Sequence, residues 1–358
     1  MEYLFSNYNP LKTENCTFQQ KFMQLLEISD QLDIAVGYIS QASLLELKRI
    51  LELNPKIKKL NLIIGMHYIE GFTKLQYDAV KTLDKYLLED RRGEINLVKS
   101  FKFHGKLYLY SKDERPFAGI IGSNNLNSII DGTDRTYEAS MCLDETRALN
   151  QMQKFINQLT TCACAPLNDT PIDTFKKEKP LFEGQELVKK VPPEEIVELL
   201  QEQGPSFNIP IRVTEKSNLN VYFGEGRANT RTGFVKPRHW YEVEIIVPVS
   251  IRRLDDYPKN DSNHDGVFTV ITDDGWKFRC KVQGGNSTDK NKNKNLRSAD
   301  SLEILGMWLK GRLENKGVLK VGERVTDEVL QAYGRKYFTM TKLKGDNLWY
   351  FDFKAGNQ

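Results

Sequence analysis

Two short segments of this 358-residue chain combine residue types that can handle a phosphate. One is Phe103-His104-Gly105-Lys106-Leu107-Tyr108 and the other is Gly122-Ser123-Asn124-Asn125. Alternate side chains of an extended strand point to opposite faces, so His104 and Lys106 share a face while Phe103, Leu107 and Leu109 are left for the core. Gly105 between them leaves room for a ligand to approach. A histidine and a lysine two apart would by themselves fit a solvated edge strand equally well. The second segment shifts that balance, because an apolar strand ending in Gly-Ser-Asn-Asn delivers small hydrogen-bonding groups to a loop where phosphate oxygens could be held.

The elements that must position these residues alternate between helical and extended patterns. Apolar residues at helical spacing run from Phe18 to Ile28, Leu44 to Leu53, Lys74 to Leu88 and Arg147 to Leu159. Between them lie strand candidates at Leu32 to Val36, Leu60 to Met66, Ile95 to Val98, Phe103 to Tyr110, Phe117 to Ile121 and Tyr137 to Leu143. The pattern predicts an α/β domain with a mixed sheet flanked by helices, over residues 1–172. From 173 to 206 the chain is charged and proline-punctuated, which predicts a linker. Beyond it, extended runs dominate: Leu219 to Phe223, Trp240 to Val247, Gly266 to Thr272, Trp276 to Val282, Phe338 to Leu343 and Leu348 to Phe353. Asp274-Gly275 offers a hairpin turn, and helices are expected at Ser301 to Leu313 and Asp327 to Tyr333. Residues 207–358 are therefore expected to form a mainly β domain, most simply a small barrel.

The motif pair resembles the phospholipase D superfamily, whose signature is His-x-Lys followed by Gly-Ser-x-Asn. The resemblance covers roughly the first half of the chain and implies catalytic roles for His104, Lys106, Ser123 and Asn125. Where the family has an acid five places after the lysine, this chain has Ser111, with Asp113 two places on. Glu138, on a strand with Ser140 and Cys142, is the natural later carboxylate, although a surface glutamate is an equally good account of it. The chemistry needs no metal or cofactor. An imidazole attacks phosphorus to give a phosphohistidine, and a carboxylate such as Glu138 fixes its tautomer. A second histidine protonates the departing oxygen while Lys106 and Asn125 meet the charge on the phosphoryl oxygens. His67, within Gly65-Met66-His67-Tyr68, is expected near the site; it, His239 and His264 lack the His-x-Lys context.

Two basic stretches in the second half suggest a nucleic-acid surface. No acid interrupts Arg227, Arg231, Lys236, Arg238 and Trp240; only Asp289 opposes Lys281, Gln283, Asn286, Lys290, Lys292, Lys294 and Arg297. Such residues can neutralise phosphates and read base edges, although a solvated loop accounts for the Lys-Asn run alone. With Ser217, Asn218 and Asn220, the layout resembles the B-three pseudobarrel DNA-binding domain of plant transcription factors. The order of the two halves makes the whole chain similar to the restriction endonuclease group of NgoFVII, NgoAVII and BfiI. That resemblance implies double-stranded DNA as partner and a homodimer through the catalytic domain, because this chain carries one His-x-Lys. It leaves open a companion ATPase subunit and a cognate methyltransferase; no Gly-x-x-x-x-Gly-Lys-Ser/Thr segment occurs in the chain.

Other readings fit less well. A metal-dependent nuclease needs paired carboxylates, and after Asp273-Asp274 the nearest match places Arg279 where the second acid belongs. A phospholipase would have no use for a basic β domain. A sequence-specific DNA-binding protein with a silent or partner-activated nuclease domain is the alternative from another class. With 40% hydrophobic and 28% charged residues and no long apolar run, neither a membrane span nor a secretory leader is expected, so the cytoplasm is the expected location. The net charge of +3 decides nothing alone. Five scattered cysteines are expected to be buried free thiols.

Overall fold

The computed structural model describes residues 1–130, 136–180, 182–261, 264–284 and 293–356. The chain divides into two compact units, one made of Met1–Lys179 with Glu225–Pro237 and the other of Pro180–Gly224 with Arg238–Gln358.

The first unit is a mixed eight-stranded sheet with helices between the strands. In chain order its elements are β1 (Glu2–Phe5), α1 (Phe18–Leu26), β2 (Gln31–Val36), α2 (Gln41–Leu53), β3 (Lys59–Ile64), the single turn α3 (His67–Glu70), α4 (Lys74–Glu89), β4 (Ile95–Val98), β5 (Lys106–Lys112), β6 (Arg115–Gly122), β7 (Ala139–Leu143), α5 (Thr146–Ala163) and β8 (Cys164–Pro166). The strand order is β1-β7-β6-β5-β2-β3-β4-β8, with β2, β3 and β4 parallel and the remaining pairs antiparallel. Capping boxes at Thr17/Gln20, Ser40/Ser43 and Thr73/Gln76 start α1, α2 and α4 by satisfying backbone N–H groups that a helix start leaves free. On one face of the sheet Leu149, Met152, Ile156 and Leu159 of α5 pack against Ala35, Ile63, Val98, Leu107 and Leu109. The spacing of those α5 residues is the helical stripe legible in the sequence.

Residues 225–237 supply β11 (Arg227–Ala228) and β12 (Val235–Lys236), which pair with each other. They join the first unit through specific bonds. Asn54 at the end of α2 donates from Nδ2 to the Val235 carbonyl (2.9 Å) and accepts from the Val235 N–H (2.8 Å), and the Lys56 ammonium lies 5.6 Å from the Phe234 ring centroid.

The second unit is a curled β half-barrel. It contains β9 (Lys189–Lys190), α6 (Pro193–Leu199), β10 (Gln203–Pro210), β13 (Ile245–Ile246), α7 (Val249–Arg252), β14 (Val267–Thr272), β15 (Trp276–Gln283), β16 (Asn295–Ser298), α8 (Ile304–Asn315), α9 (Asp327–Tyr333), β17 (Tyr337–Leu343) and β18 (Leu348–Asp352). The sheet runs β10-β17-β18-β14-β15-β16-β13, with β9 on β15. Its core is aromatic: Trp308, Phe338, Phe351 and Phe353 are fully buried against one another.

Several expectations are revised. The expected linker, 173–206, contains β9, α6 and the start of β10, because Phe182, Val188 and Val191 are buried and the Phe182 ring packs on Trp276 and Phe278. Leu219 to Phe223 is not a strand. Asn218 adopts φ +56°, and Asn220 bonds the backbone of Val325 in both directions, so the segment folds as a turn. Most of Trp240 to Val247 is irregular, with only Ile245–Ile246 extended. Of the cysteines, Cys142 and Cys280 are buried, Cys16 and Cys164 half-buried and Cys162 exposed; all are free. No helix among the described residues is long and apolar enough to cross a membrane.

The β5–β6 hairpin closes through Asp113 and Glu114, at φ +49° and +63°, with Lys112 opposite Arg115. Positive φ at both central positions suits the strand twist but costs a side chain of glutamate's size. Glu114→Gly is therefore expected to raise the unfolding free energy by about 1 kcal/mol. Thermal unfolding of the two proteins checks this, with an unchanged or lower midpoint as the contrary result.

Candidate active site

The sheet register brings the His-x-Lys and Gly-Ser-x-Asn segments to one edge. β2, β3 and β4 end there, at Val36, Ile64 and Val98, and the segments that follow carry Gly37-Tyr38, Gly65 to His67 and Lys99 to His104. The antiparallel β5 starts at the same edge, since Lys106 is opposite Val36. β6 ends there with Gly122 opposite Ser140, just inside the start of β7. In sheets with parallel strands the space beyond the strand carboxyl ends is where ligands bind.

His104 lies two residues ahead of β5 and not within it, which corrects the expectation of a strand from Phe103. Its loop is fixed by Phe103, whose N–H donates to the Gly65 carbonyl (3.2 Å) and whose side chain is buried. Gly105 serves that ring: a Cβ at 105 would fall 2.3 Å from Phe103 Cζ. Gly37 serves the histidine, since a Cβ there would sit 3.1 Å from His104 Cδ2 and 3.3 Å from its Cα. His104 itself is exposed. The Lys106 side chain is only 6% exposed, and its ammonium lies 3.1 Å from His104 Nε2 and 3.2 Å from Nδ1 while donating to the His104 carbonyl at 2.7 Å. Burial lowers the Lys106 pKa from its ordinary value, and the Glu138 charge acts in the opposite direction.

The loop after β6 completes the cluster. Asn125 is half-buried and its Oδ1 accepts from the Tyr38 N–H (3.1 Å). Ser123 is exposed and tied to the start of β7, its Oγ accepting from the Ala139 N–H (3.0 Å) and donating to the Ala139 carbonyl (3.2 Å). Asn124 is the buried member; its Oδ1 accepts from Ser140 Oγ at 2.5 Å and its carbonyl from the Tyr108 hydroxyl at 2.9 Å. Glu138 is half-buried one residue ahead of β7, held by Ser6, whose Oγ accepts the Glu138 N–H. Among the described residues no hydrogen bond joins Glu138 to His104. Ser111 is buried five residues along β5 from Lys106, roughly 16 Å at the usual strand rise, so the departure from the family acid lies far from His104 and Lys106.

His67 is close by and structural. It is 6% exposed, its Nε2 accepts from the Ile39 N–H (3.3 Å), and desolvation pushes its pKa down to about 4. Tyr38 stands between the two histidines, edge-on to both, with ring centroids 5.6 Å from His67 and 5.5 Å from His104. Sequence reasoning missed Tyr38, because its role depends on the β2–β5 register and on no local motif.

The residues expected to contact DNA separate into groups. Trp240 is fully buried, with Nε1 donating to Glu314 (2.7 Å), and is a core residue. Asn218 and Asn220 are buried too: Asn218 Oδ1 accepts from the Ile246 N–H, and Asn220 bonds Thr214 and Val325. The Arg238 guanidinium makes two bonds to Glu242, at 2.8 and 2.7 Å. Ser217 is half-buried and bonded to Thr214. These five belong to the second unit's own framework. Arg227, Arg231 and Lys236 lie in the segment that packs with the first unit, with Arg227 and Arg231 exposed. Lys281 and Arg297 are opposite one another on β15 and β16, with exposed Gln283 further along the outward face. Lys294, half-buried, precedes β16. Asn286, Lys290 and Lys292 lie outside the described residues. Asp273 is bound by both nitrogens of the Arg312 fork, and Asp274 Oδ1 accepts from Thr272 Oγ1 and Trp308 Nε1, so that pair of carboxylates is committed within the fold.

Comparison with known proteins also divides the chain in two, except that residues 225–237, which cluster with the first unit, fall inside the second match. Residues 13–169 match the N-terminal PLD domain of the NgoFVII restriction endonuclease, and residues 199–344 match the NgoFVII C-terminal B3-like DNA-binding domain. No protein of curated function matches the chain. Among solved structures, the crystal structure of phosphatidylserine synthase from Haemophilus influenzae Rd KW20 is similar at 17% identity and a TM-score of 0.34. That similarity takes in 46% of this chain and 39% of the synthase chain.

His67 sets a pH dependence. Its folded pKa of about 4 is below the ordinary 6.5, so between these values the unfolded chain binds the proton and the folded one does not. Its contribution to stability is full above pH 6.5 and is lost as pH falls toward 4, by roughly 3 kcal/mol. His67→Gln keeps an acceptor for the Ile39 N–H and removes the titration. Denaturant unfolding across this window should show a shallower acid-side loss in the variant, and identical slopes would contradict the assignment.

Proposed function

From a chain that belongs to the NgoFVII restriction endonucleases, joining a PLD nuclease domain to a B3-like DNA-binding domain, we propose a sequence-specific, type II-like enzyme that hydrolyses DNA phosphodiesters through a phosphohistidine on His104 without metal. The observation that carries this reading is the buried Lys106 ammonium lying against an exposed imidazole, with Asn125 and Ser123 at the same sheet edge.

In the proposed reaction a ring nitrogen of His104 attacks phosphorus and the bond to the leaving oxygen breaks. Lys106 and the Asn125 amide stabilise the negative charge on the phosphoryl oxygens, the role a metal would otherwise have. Asn125 is well set for this: its oxygen is held by the Tyr38 N–H, so its NH2 is left to donate. Glu138, whose charge reaches Lys106, is assigned the orientation of the imidazole. A second imidazole protonates the leaving oxygen and then takes a proton from the water that hydrolyses the phosphohistidine.

That second imidazole has to come from another copy of the chain. The remaining histidines are unsuited: His67 and His239 are held neutral by burial, and His264 is paired with Asp261 in the second unit. We therefore assign a homodimer through the PLD domain, with His104 of both copies facing one phosphate and the strands cut in turn. For recognition we assign Lys281, Gln283 and Arg297 to the DNA-facing surface of the B3-like domain. A companion ATPase and a methyltransferase remain compatible with this scheme.

The test mixes wild-type and His104→Ala chains, allows subunits to exchange, and measures cleavage in excess EDTA. With an equal mixture activity should fall to about a quarter of the all-wild-type value, because only doubly wild-type dimers cut. A fall to about half, or loss of all activity to EDTA with recovery on adding magnesium, would reject the shared metal-free site. Specific binding without cleavage by the full wild-type chain would support the silent-nuclease alternative.

A further inference from the structure

Six strands meet at the catalytic edge, and one residue touches two of its functional groups. Tyr38 follows β2, its backbone N–H donates to Asn125 Oδ1 (3.1 Å), and its ring meets the His104 imidazole edge-on at 5.5 Å and 77°. The ring is itself fixed from two sides. Its hydroxyl donates to Glu70 Oε2 (2.9 Å), whose other oxygen accepts from the Lys102 ammonium (3.1 Å). Its far side meets His67 at 5.6 Å and 89°, and His67 is stacked on buried Phe72 and bonded to the Ile39 N–H.

We propose that Tyr38 is a positioning residue of the nuclease site, its N–H setting the orientation of the Asn125 amide and its ring setting the plane of the His104 imidazole. This rests on the reading of His104 as nucleophile. The need for such a part follows from the exposure of His104: a side chain on a loop ahead of its strand has open rotamers, whereas attack on phosphorus requires one. Gly37 lets the imidazole approach the end of β2 closely, and Tyr38, the next residue, limits how the ring can turn. The amide contact does the equivalent for Asn125. An amide side chain can present oxygen or NH2, and only the NH2 can donate to a phosphoryl oxygen; a backbone N–H on the oxygen selects that orientation. One residue thereby couples the His-x-Lys and Ser-x-Asn segments, whose nearest members, Lys106 and Ser123, are 17 positions apart in the sequence.

The hydroxyl has a smaller part. It holds the ring through Glu70, while the His67 packing holds it independently, so the aromatic body matters more than the oxygen.

Steady-state cleavage of cognate DNA by the full chain separates the roles, with Tyr38→Leu, Tyr38→Phe and His104→Ala compared with wild type. Tyr38→Leu keeps the N–H but loses the ring, and kcat should fall about 10- to 100-fold with KM within about twofold. Tyr38→Phe keeps both and should stay within about threefold of wild type in kcat. A Leu variant with wild-type kcat overturns the proposal, as does an equal loss in Leu and Phe, which would assign the role to the hydroxyl. A change confined to KM also overturns it, since Tyr38 would then be a substrate contact. If Tyr38→Leu does not fold, as judged by its melting curve, Tyr38→Met is measured by the same criteria. His104→Ala keeps the two readings distinguishable: activity in that variant means the nucleophile is wrongly assigned, whereas its inactivity beside a fully active Leu variant means only the role of Tyr38 is wrong.

Discussion

A lysine ammonium buried at the first position of β5 is the constraint around which the first unit is arranged. Lys106 is 6% exposed, and burial disfavours its charge, so neighbouring acceptors have to compensate. The His104 carbonyl provides one, at 2.7 Å, and that bond folds the loop ahead of β5 back over the lysine and brings the imidazole against the ammonium. The Glu138 charge adds favourably from the start of β7. Holding these groups together requires β5 to lie between β2 and β6 in its observed register, because Val36 and Gly122 bring Tyr38 and Asn125 to the same edge. Phe103 and Gly105 serve to fix this loop, the ring of one packing against the bare backbone of the other.

The segments legible in the sequence were those whose meaning is local. His104, Lys106, Ser123 and Asn125 stand out by their spacing within a few residues, and the sheet register brings both segments to one edge. The helix Asp327–Tyr333 was readable in full because Thr326 caps it, acids fill its first turn and Gly334 ends it in the left-handed region. Less was legible where long-range partners decide. Trp240 and Arg238 looked like parts of a basic arm because the window around them held no acid. Their partners are Glu314, 74 residues away, and Glu242, just past the end of that window. β10 was invisible in its proline-containing sequence, since only Phe207 and Ile209 face inward and its place depends on pairing with β17. Tyr38 belongs to the same class: nothing within its own segment signals a contact with residues 104 and 125.

The second unit shows how a polar residue can be structural in one place and available in another. Asn218, Asn220 and Trp240 satisfy their polar atoms inside the half-barrel, as buried groups must. On β15 the inward residues Phe278, Cys280 and Val282 alternate with outward Lys277, Arg279, Lys281 and Gln283. That alternation separates the outward row from the framework behind it, and within the row the Arg279 guanidinium is itself held by Asp300.

If His104 forms the covalent bond to phosphorus, that bond can be detected directly. The enzyme is mixed with an excess of cognate DNA labelled beside the cleavage site, denatured rapidly within a single turnover, and digested for peptide mass analysis under mildly alkaline conditions, where a phosphoramidate survives. Labelled DNA is expected on the peptide containing His104, lost on mild acid treatment and absent when His104 is replaced by alanine. A label on any other residue, or full-rate cleavage by an enzyme that never carries one at any quench time, would contradict it.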